Sequence, residues 1–217
     1  NALNWDPDGA PDPADELIVN AGVPTTAALV EVSNGGSVLL DGPTAGAAFD
    51  QLYPGRSGNG TFTVQGGADL TTAGFTFIGW FDGSSGDMTV TGAGSTWVAD
   101  LLVGVGRGFN SSAMTTGTLT LSDGAEFSGV GFEVGGRTGA TGTLTIDDAD
   151  ATVSSTVTVG AFAPGTATVT GGGTLESTAG SVTIGSGAIG YGELYFDGGT
   201  VTAEGGMSVG NSGVGLL

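Results

Sequence analysis

The sequence predicts an all-β fold, a β-solenoid (parallel β-helix) wound from coils of roughly 23–31 residues behind an N-terminal cap. Three observations carry this. A Gly-led strand motif recurs at that period, Thr alternates with aliphatic residues inside the motif, and a Gly closes each unit. Gly supplies 45 of the 217 residues, while hydrophobic residues make up 39%. Without a three-residue Gly period the chain is not collagen, and with so many Val, Leu, Ile and Phe it is not a disordered chain. Short strands joined by tight turns remain, with Gly supplying positive φ angles at the turns.

Taken in order, residues 1–27 read as the cap. Asn4-Trp-Asp-Pro-Asp-Gly-Ala-Pro-Asp-Pro-Ala-Asp15 is rich in Pro and Asp and leads into Leu17-Ile-Val19, with Trp5 as the expected hydrophobic plug. A solenoid needs such an atypical end to cover its core and block edge pairing. Residues 28–217 read as one elongated repeat domain. Residues 28–56 form a degenerate first coil with Leu29-Val-Glu-Val32, the turn Ser33-Asn-Gly-Gly36 and Val38-Leu-Leu40.

From Gly60 onward the motif is regular. It reads Gly60-Thr-Phe-Thr-Val64, Gly86-Asp-Met-Thr-Val90, Gly117-Thr-Leu-Thr-Leu121, Gly142-Thr-Leu-Thr-Ile146, Gly165-Thr-Ala-Thr-Val169 and Gly192-Glu-Leu-Tyr-Phe196, with steps of 26, 31, 25, 23 and 27 residues. The closing strands end in Gly104, Gly135, Gly160, Gly185 and Gly210. Period-two alternation turns Leu119 and Leu121 to one side and Thr118 and Thr120 to the other. Coils stacked at the ordinary strand spacing of about 4.7–4.9 Å would give a rod roughly 30–40 Å long. The pattern does not set the hand of the winding. Val209-Gly-Asn-Ser-Gly-Val-Gly215 reads as the lead-in to another coil, with Leu216 and Leu217 starting a strand that lacks a polar cap. Either further coils follow, or this end pairs with another subunit.

Charge is sparse and one-sided: 22 acidic residues face three Arg, with no Lys or His, for a net charge of −19. That balance argues against nucleic acid and disfavours anionic lipid as partners, since both need a basic footprint. With no Cys there is no disulfide framework or thiolate site. No apolar run approaches membrane-spanning length. The opening at Asn1, without Met or a signal-like segment, points to a processed or trimmed product.

The segment Thr89-Val-Thr-Gly-Ala-Gly-Ser-Thr-Trp97, followed by Leu102-Val-Gly104 and Gly117-Thr-Leu-Thr-Leu121, resembles the Gly/Thr-rich repeats of bacterial autotransporter passengers and related exported surface proteins, some with a PEP-CTERM sorting tail. The opening Asn4-Trp5, Pro7, Gly9, Pro11 and Asp15 is similar to the start of such passengers. The resemblance covers nearly the whole chain. It implies export, a β-solenoid, and a surface, adhesive or matrix role, and it transfers no catalytic motif.

Some residue groups could carry chemistry. Parallel β-helices include polysaccharide lyases and hydrolases, which need carboxylates converging on a groove. Here the outward acids Asp82, Asp87, Asp123, Glu133 and Glu193 are scattered and the only bases are Arg, so no enzyme and no small-molecule substrate is expected. Asp6, Asp8 and Asp12, and the run Asp147, Asp148 and Asp150, offer oxygen ligands for a structural Ca²⁺. Neither has EF-hand or β-roll spacing, and polar turns explain them equally; no other cofactor is expected.

Arg56, Arg107 and Arg137 each sit one to three residues after a closing Gly and should share one edge of the rod, either pinning the long loops by pairing to Asp or carbonyl groups or touching an acidic neighbouring subunit. Leu216 and Leu217 are the other candidate subunit contacts. The Thr-x-Thr columns suggest an ice-binding face, but Asp87 and Glu193 interrupt them, and β propensity alone accounts for exposed Thr. Trp80, Phe81, Trp97 and Phe109 lie in or beside the longest units, as covers of the core and loop bases or as a glycan- or partner-binding patch. The expected role is a non-enzymatic, extracellular or cell-surface structural subunit that self-associates into a fibre, sheath, matrix or layer. The rival is a monomeric adhesin or passenger stalk that binds a host surface or glycan.

Overall fold

A computed structural model describes residues 16–19, 25–109 and 114–217. The described chain is all-β, with parallel sheets stacked as a solenoid of about seven turns of roughly 25 residues. Each regular coil contributes three strands, one to each of three faces. The first face is a nine-stranded sheet built from the repeat motif: Gly36–Asp41, Asn59–Gln65, Ser85–Thr91, Thr115–Ser122, Ala140–Asp147, Pro164–Thr170 and Tyr191–Asp197, with Glu16–Val19 before them and Val214–Leu216 after. Gly60, Gly86, Gly117, Gly142, Gly165 and Gly192 stand directly above one another, so the sequence period is the coil register. Gly36 pairs with Gly60, and Gly192 with Gly215, so the ladder extends one coil beyond the regular motif at each end.

The second face carries the four-residue strands Asp69–Thr72, Thr96–Ala99, Glu126–Gly129, Asp150–Val153, Thr174–Ser177 and Thr200–Ala203. The third carries Thr76–Ile78, Val103–Val105, Phe132–Val134, Val157–Val159, Val182–Ile184 and Met207–Val209. Near the N-terminus these two faces are one wall. Thr25–Val32 pairs with the nine-residue strand Gly46–Pro54, which in turn pairs with Asp69–Thr72 through its first half and with Thr76 through Leu52. Glu16–Val19, inside the segment expected to cap the rod, is the terminal strand of the first face. Ala27 is half-buried against the core; the rest of that segment, Trp5 included, lies outside the described residues or is described by backbone alone.

The core is a set of vertical columns. Phe62, Met88, Leu119, Leu144, Ala167 and Leu194 form one, and Val64, Val90, Leu121, Ile146 and Val169 the next, all buried. Each fully buried large aliphatic contributes on the order of 1.5–3 kcal/mol. On the second face the column Leu70, Trp97, Phe127, Ala151 and Leu175 swells in the middle. Its neighbour shrinks at the same level, to Ala99 and Gly129, where a Cβ on Gly129 would lie 2.6 Å from Phe127 Cζ. Trp97 is fully buried, packs edge-on against Phe127 at 4.8 Å and donates its Nε1–H to Thr72 Oγ1 at 3.1 Å. Trp97 is therefore a core residue, the first of the two roles open to it.

Candidate functional site

The coils differ mainly along one edge, where the third face hands the chain back to the first. Each crossing is pinched by two glycines. One closes the third-face strand at positive φ, as Gly135 does at 71°, and the other opens the repeat motif. They touch: a Cβ on Gly142 would lie 2.4 Å from Gly135 N and 2.2 Å from the Val105 carbonyl oxygen of the coil before. The same contact joins Gly55 to Gly60, Gly106 to Gly117 and Gly160 to Gly165. The chain between the two glycines leaves the wall as a loop before the next first-face strand begins. The stretch is short between Gly160 and Gly165 and long between Gly106 and Gly117, which accounts for the 31-residue step. A rigid scaffold presenting variable loops on one edge is where binding residues concentrate.

All three arginines lie on this edge. Arg56, Trp80 and Arg107 each follow a closing glycine, which before Arg107 is Gly106 and not Gly104, a residue inside the strand; Arg137 sits one position further on. Arg56 pairs with Glu31, and Arg107 Nε lies 3.5 Å from Glu133 Oε1. Glu31, Tyr53 and Phe77 follow one another up the outward column of the third face, with Gly104 and Glu133 above. The two ion pairs thus bracket an aromatic stack. Tyr53 and Phe77 are stacked at 5.7 Å, Phe77 and Trp80 at 3.8 Å, and Phe75 adds a further layer at 5.3 Å. Arg56 lies 5.2 Å from the Phe81 ring centre and Arg107 4.6 Å from that of Phe77, both within cation–π range. Gly104 makes room for this arrangement, since a Cβ there would meet Phe77 Cδ1 at 2.8 Å and Arg107 Cδ at 2.9 Å. Burial, together with the charge of Asp50, raises the Tyr53 phenol above its ordinary pKa, and its hydroxyl donates to Gln51 Oε1 at 2.7 Å.

Arg56 and Arg107 are thus held locally, by Glu rather than by Asp or carbonyl groups. Arg137 has no carboxylate within 4.0 Å among the described residues and is exposed. It faces a groove of about 530 Å³ lined by Arg107, Phe109, Glu133, Thr138 and Phe162. Phe109 is 49% exposed and also packs on Trp80 and Phe81, at 5.7 and 5.4 Å.

The remaining sequence candidates do not converge with this edge. Asp147 accepts from Thr170 Oγ1 at 3.0 Å at the end of the first face, whereas Asp150 accepts from Thr174 Oγ1 at 2.6 Å on the second. Asp148 turns the corner between them at φ 51°. Among the described residues no three His, Cys, Asp or Glu side chains group as metal ligands would. Asp6, Asp8 and Asp12 lie outside the described residues. Of the scattered acids, Asp87 and Glu193 interrupt the outward Thr column of the first face, Asp123 turns a corner, Glu133 belongs to the ion pair above and Asp82 lies on the loop edge. The parallel column Thr63, Thr89, Thr120, Thr145 and Thr168 is unbroken until Tyr195. Leu216 and Leu217 are exposed at the last coil. No family model, curated protein or solved structure matches the chain.

Proposed function

We propose that this protein is a non-enzymatic structural rod of a bacterial extracellular or surface assembly, whose coils add end to end in a fibre, sheath, matrix or layer. The coil-on-coil register carries the reading. Parallel strands pair from coil to coil on all three faces, with Gly60 through Gly192 in one column. The same backbone hydrogen bonds can join one rod to the next by strand addition. Export to the surface rests on the Gly/Thr repeat and its resemblance to passenger domains. The acidic turns would let divalent cations bridge neighbouring rods.

Negative-stain electron microscopy over a concentration series, with and without a chelator, tests this. Filaments or sheets that Val209→Lys or Leu216→Lys disperses support it, and their loss on chelation assigns bridging to cations. Isolated short rods at every concentration sink it. The loop edge, with its exposed Phe109, Phe162 and Arg137, favours a second reading: a stalk that engages a glycan on another surface.

A further inference from the structure

We infer that the groove between Arg107 and Arg137 binds a sugar carrying a single carboxylate. The inference gives the stalk reading its ligand class and does not require the rods to assemble. The groove is the place on an acidic rod where cations gather: two of the chain's three Arg line it, in a molecule of net charge −19. Arg107 is engaged from below by Phe77 and from the side by Glu133, yet its Nε is buried and makes no hydrogen bond. Arg137 is held by no carboxylate among the described residues. The exposed guanidinium fork of Arg137 matches a carboxylate in bidentate geometry, with Arg107 adding positive charge beside it.

The floor of the groove is made by an absence of side chain. Gly136 stands in the column where Arg56, Trp80 and Arg107 precede it, and a Cβ there would strike Glu133 Oε1 at 2.2 Å and Arg107 Cγ at 2.8 Å. The walls are Phe109, 49% exposed, and Phe162, 55% exposed, the latter lying over Gly187 of the next coil. Two exposed rings suit the apolar face of a pyranose, while Glu133 and Thr138 can accept from its hydroxyls. The volume, about 530 Å³, is in the range of small-ligand sites.

The net charge narrows the ligand further. Beyond about one Debye length, some 8 Å at physiological salt, an approaching anion meets an acidic rod. A polyanion would place most of its charges against that field, whereas one carboxylate on an otherwise neutral sugar meets two arginines against the single Glu133.

The test is an NMR titration of the full chain with glucuronate, methyl glucoside and acetate, in the wild type and in Arg137→Gln. Arg137 is exposed, so the variant should fold, and its melting curve checks this. The expected result is saturable glucuronate binding that perturbs the Phe109 and Phe162 rings, with methyl glucoside and acetate each weaker by about tenfold or more. Arg137→Gln should remove the preference for glucuronate over the glucoside, and Phe162→Ala should weaken both sugars. Equal binding of the two sugars, unchanged by Arg137→Gln, overturns the carboxylate inference but leaves a glycan-binding stalk standing. Acetate binding as tightly as glucuronate overturns it as well, pointing to an acidic side chain of a protein neighbour. No saturable binding of either sugar up to tens of millimolar overturns both the inference and the stalk reading at this edge.

Discussion

Replacing Gly142 with Ala should damage this fold far more than a single methyl group suggests. Gly142 does not have positive φ, so its backbone would accept Ala, and the cost is one of space alone. The new Cβ would lie 2.2 Å from Val105 O and 2.4 Å from Gly135 N, where ordinary contact begins near 3.4 Å. Those two atoms are bonded to each other, since Gly135 N–H donates to Val105 O at 3.0 Å. Relief therefore means moving backbone by about 1 Å and straining or losing that bond. Overpacking costs about 1–3 kcal/mol and a hydrogen bond about 0.5–1.5 kcal/mol, for a total of about 1.5–4.5 kcal/mol. Gly83→Ala supplies the contrast. Gly83 has φ 76° and nothing within 4 Å, so only the left-handed backbone is penalised, by about 1–2 kcal/mol. Urea unfolding followed by circular dichroism separates the two, read as midpoint shifts at unchanged slope. The reasoning fails if Gly142→Ala is no more destabilising than Gly83→Ala.

Trp97→Phe should destabilise by about 1–3 kcal/mol through the buried Thr72 hydroxyl left without its donor, beyond the loss of ring area. Adding Thr72→Val should recover part of that loss in a double-mutant cycle, and strict additivity would contradict the assigned bond. Tyr53 has a raised pKa in the fold, so its protonated form contributes stability that is complete below the unfolded value near 10 and is lost as pH rises through the folded value. Melting at pH 9 and 11 should therefore fall less in Tyr53→Phe than in the wild type, and equal falls would refute the assignment. With a net charge of −19, raising salt from about 20 to about 200 mM should raise Tm by screening self-repulsion. A falling Tm would mean that the Arg56–Glu31 and Arg107–Glu133 pairs outweigh it.

What the sequence made readable was whatever repeats. The glycine column, the Thr-out and Leu-in alternation and the coil lengths all follow from one motif, and the register of Gly60 through Gly192 matches them. Gly36 belongs to the same column, and Gly36-Ser-Val-Leu-Leu40 carries the motif's pattern of apolar residues, a signal that places the first coil in phase. The split of Gly46–Pro54 into two faces was not readable, because it depends on where neighbouring coils bend rather than on composition. Nor was the stack of Tyr53, Phe77 and Trp80, which joins one column position in two successive coils to a loop residue that follows the second. The shared edge of the three Arg was visible from their spacing after glycine. The partners were not: Glu31 and Glu133 reach them through the third-face column, and only the register fixes that column. Gly136, which leaves the groove its floor, looked like any other glycine in a Gly-rich chain.

The paired glycines of the loop edge have one more consequence. Where the ends of a loop meet neck to neck, the register of the wall behind it does not depend on the loop's length. The stretches from Gly106 to Gly117 and from Gly160 to Gly165 differ greatly in length in the sequence, yet Gly117 and Gly142, like Gly165 and Gly192, keep the same alignment. Length and chemistry at the edge can therefore drift, or be exchanged by design, without retuning the core. A foreign peptide spliced between Gly106 and Gly117 would ride on the rod as cargo, at a height fixed by the coil that carries it.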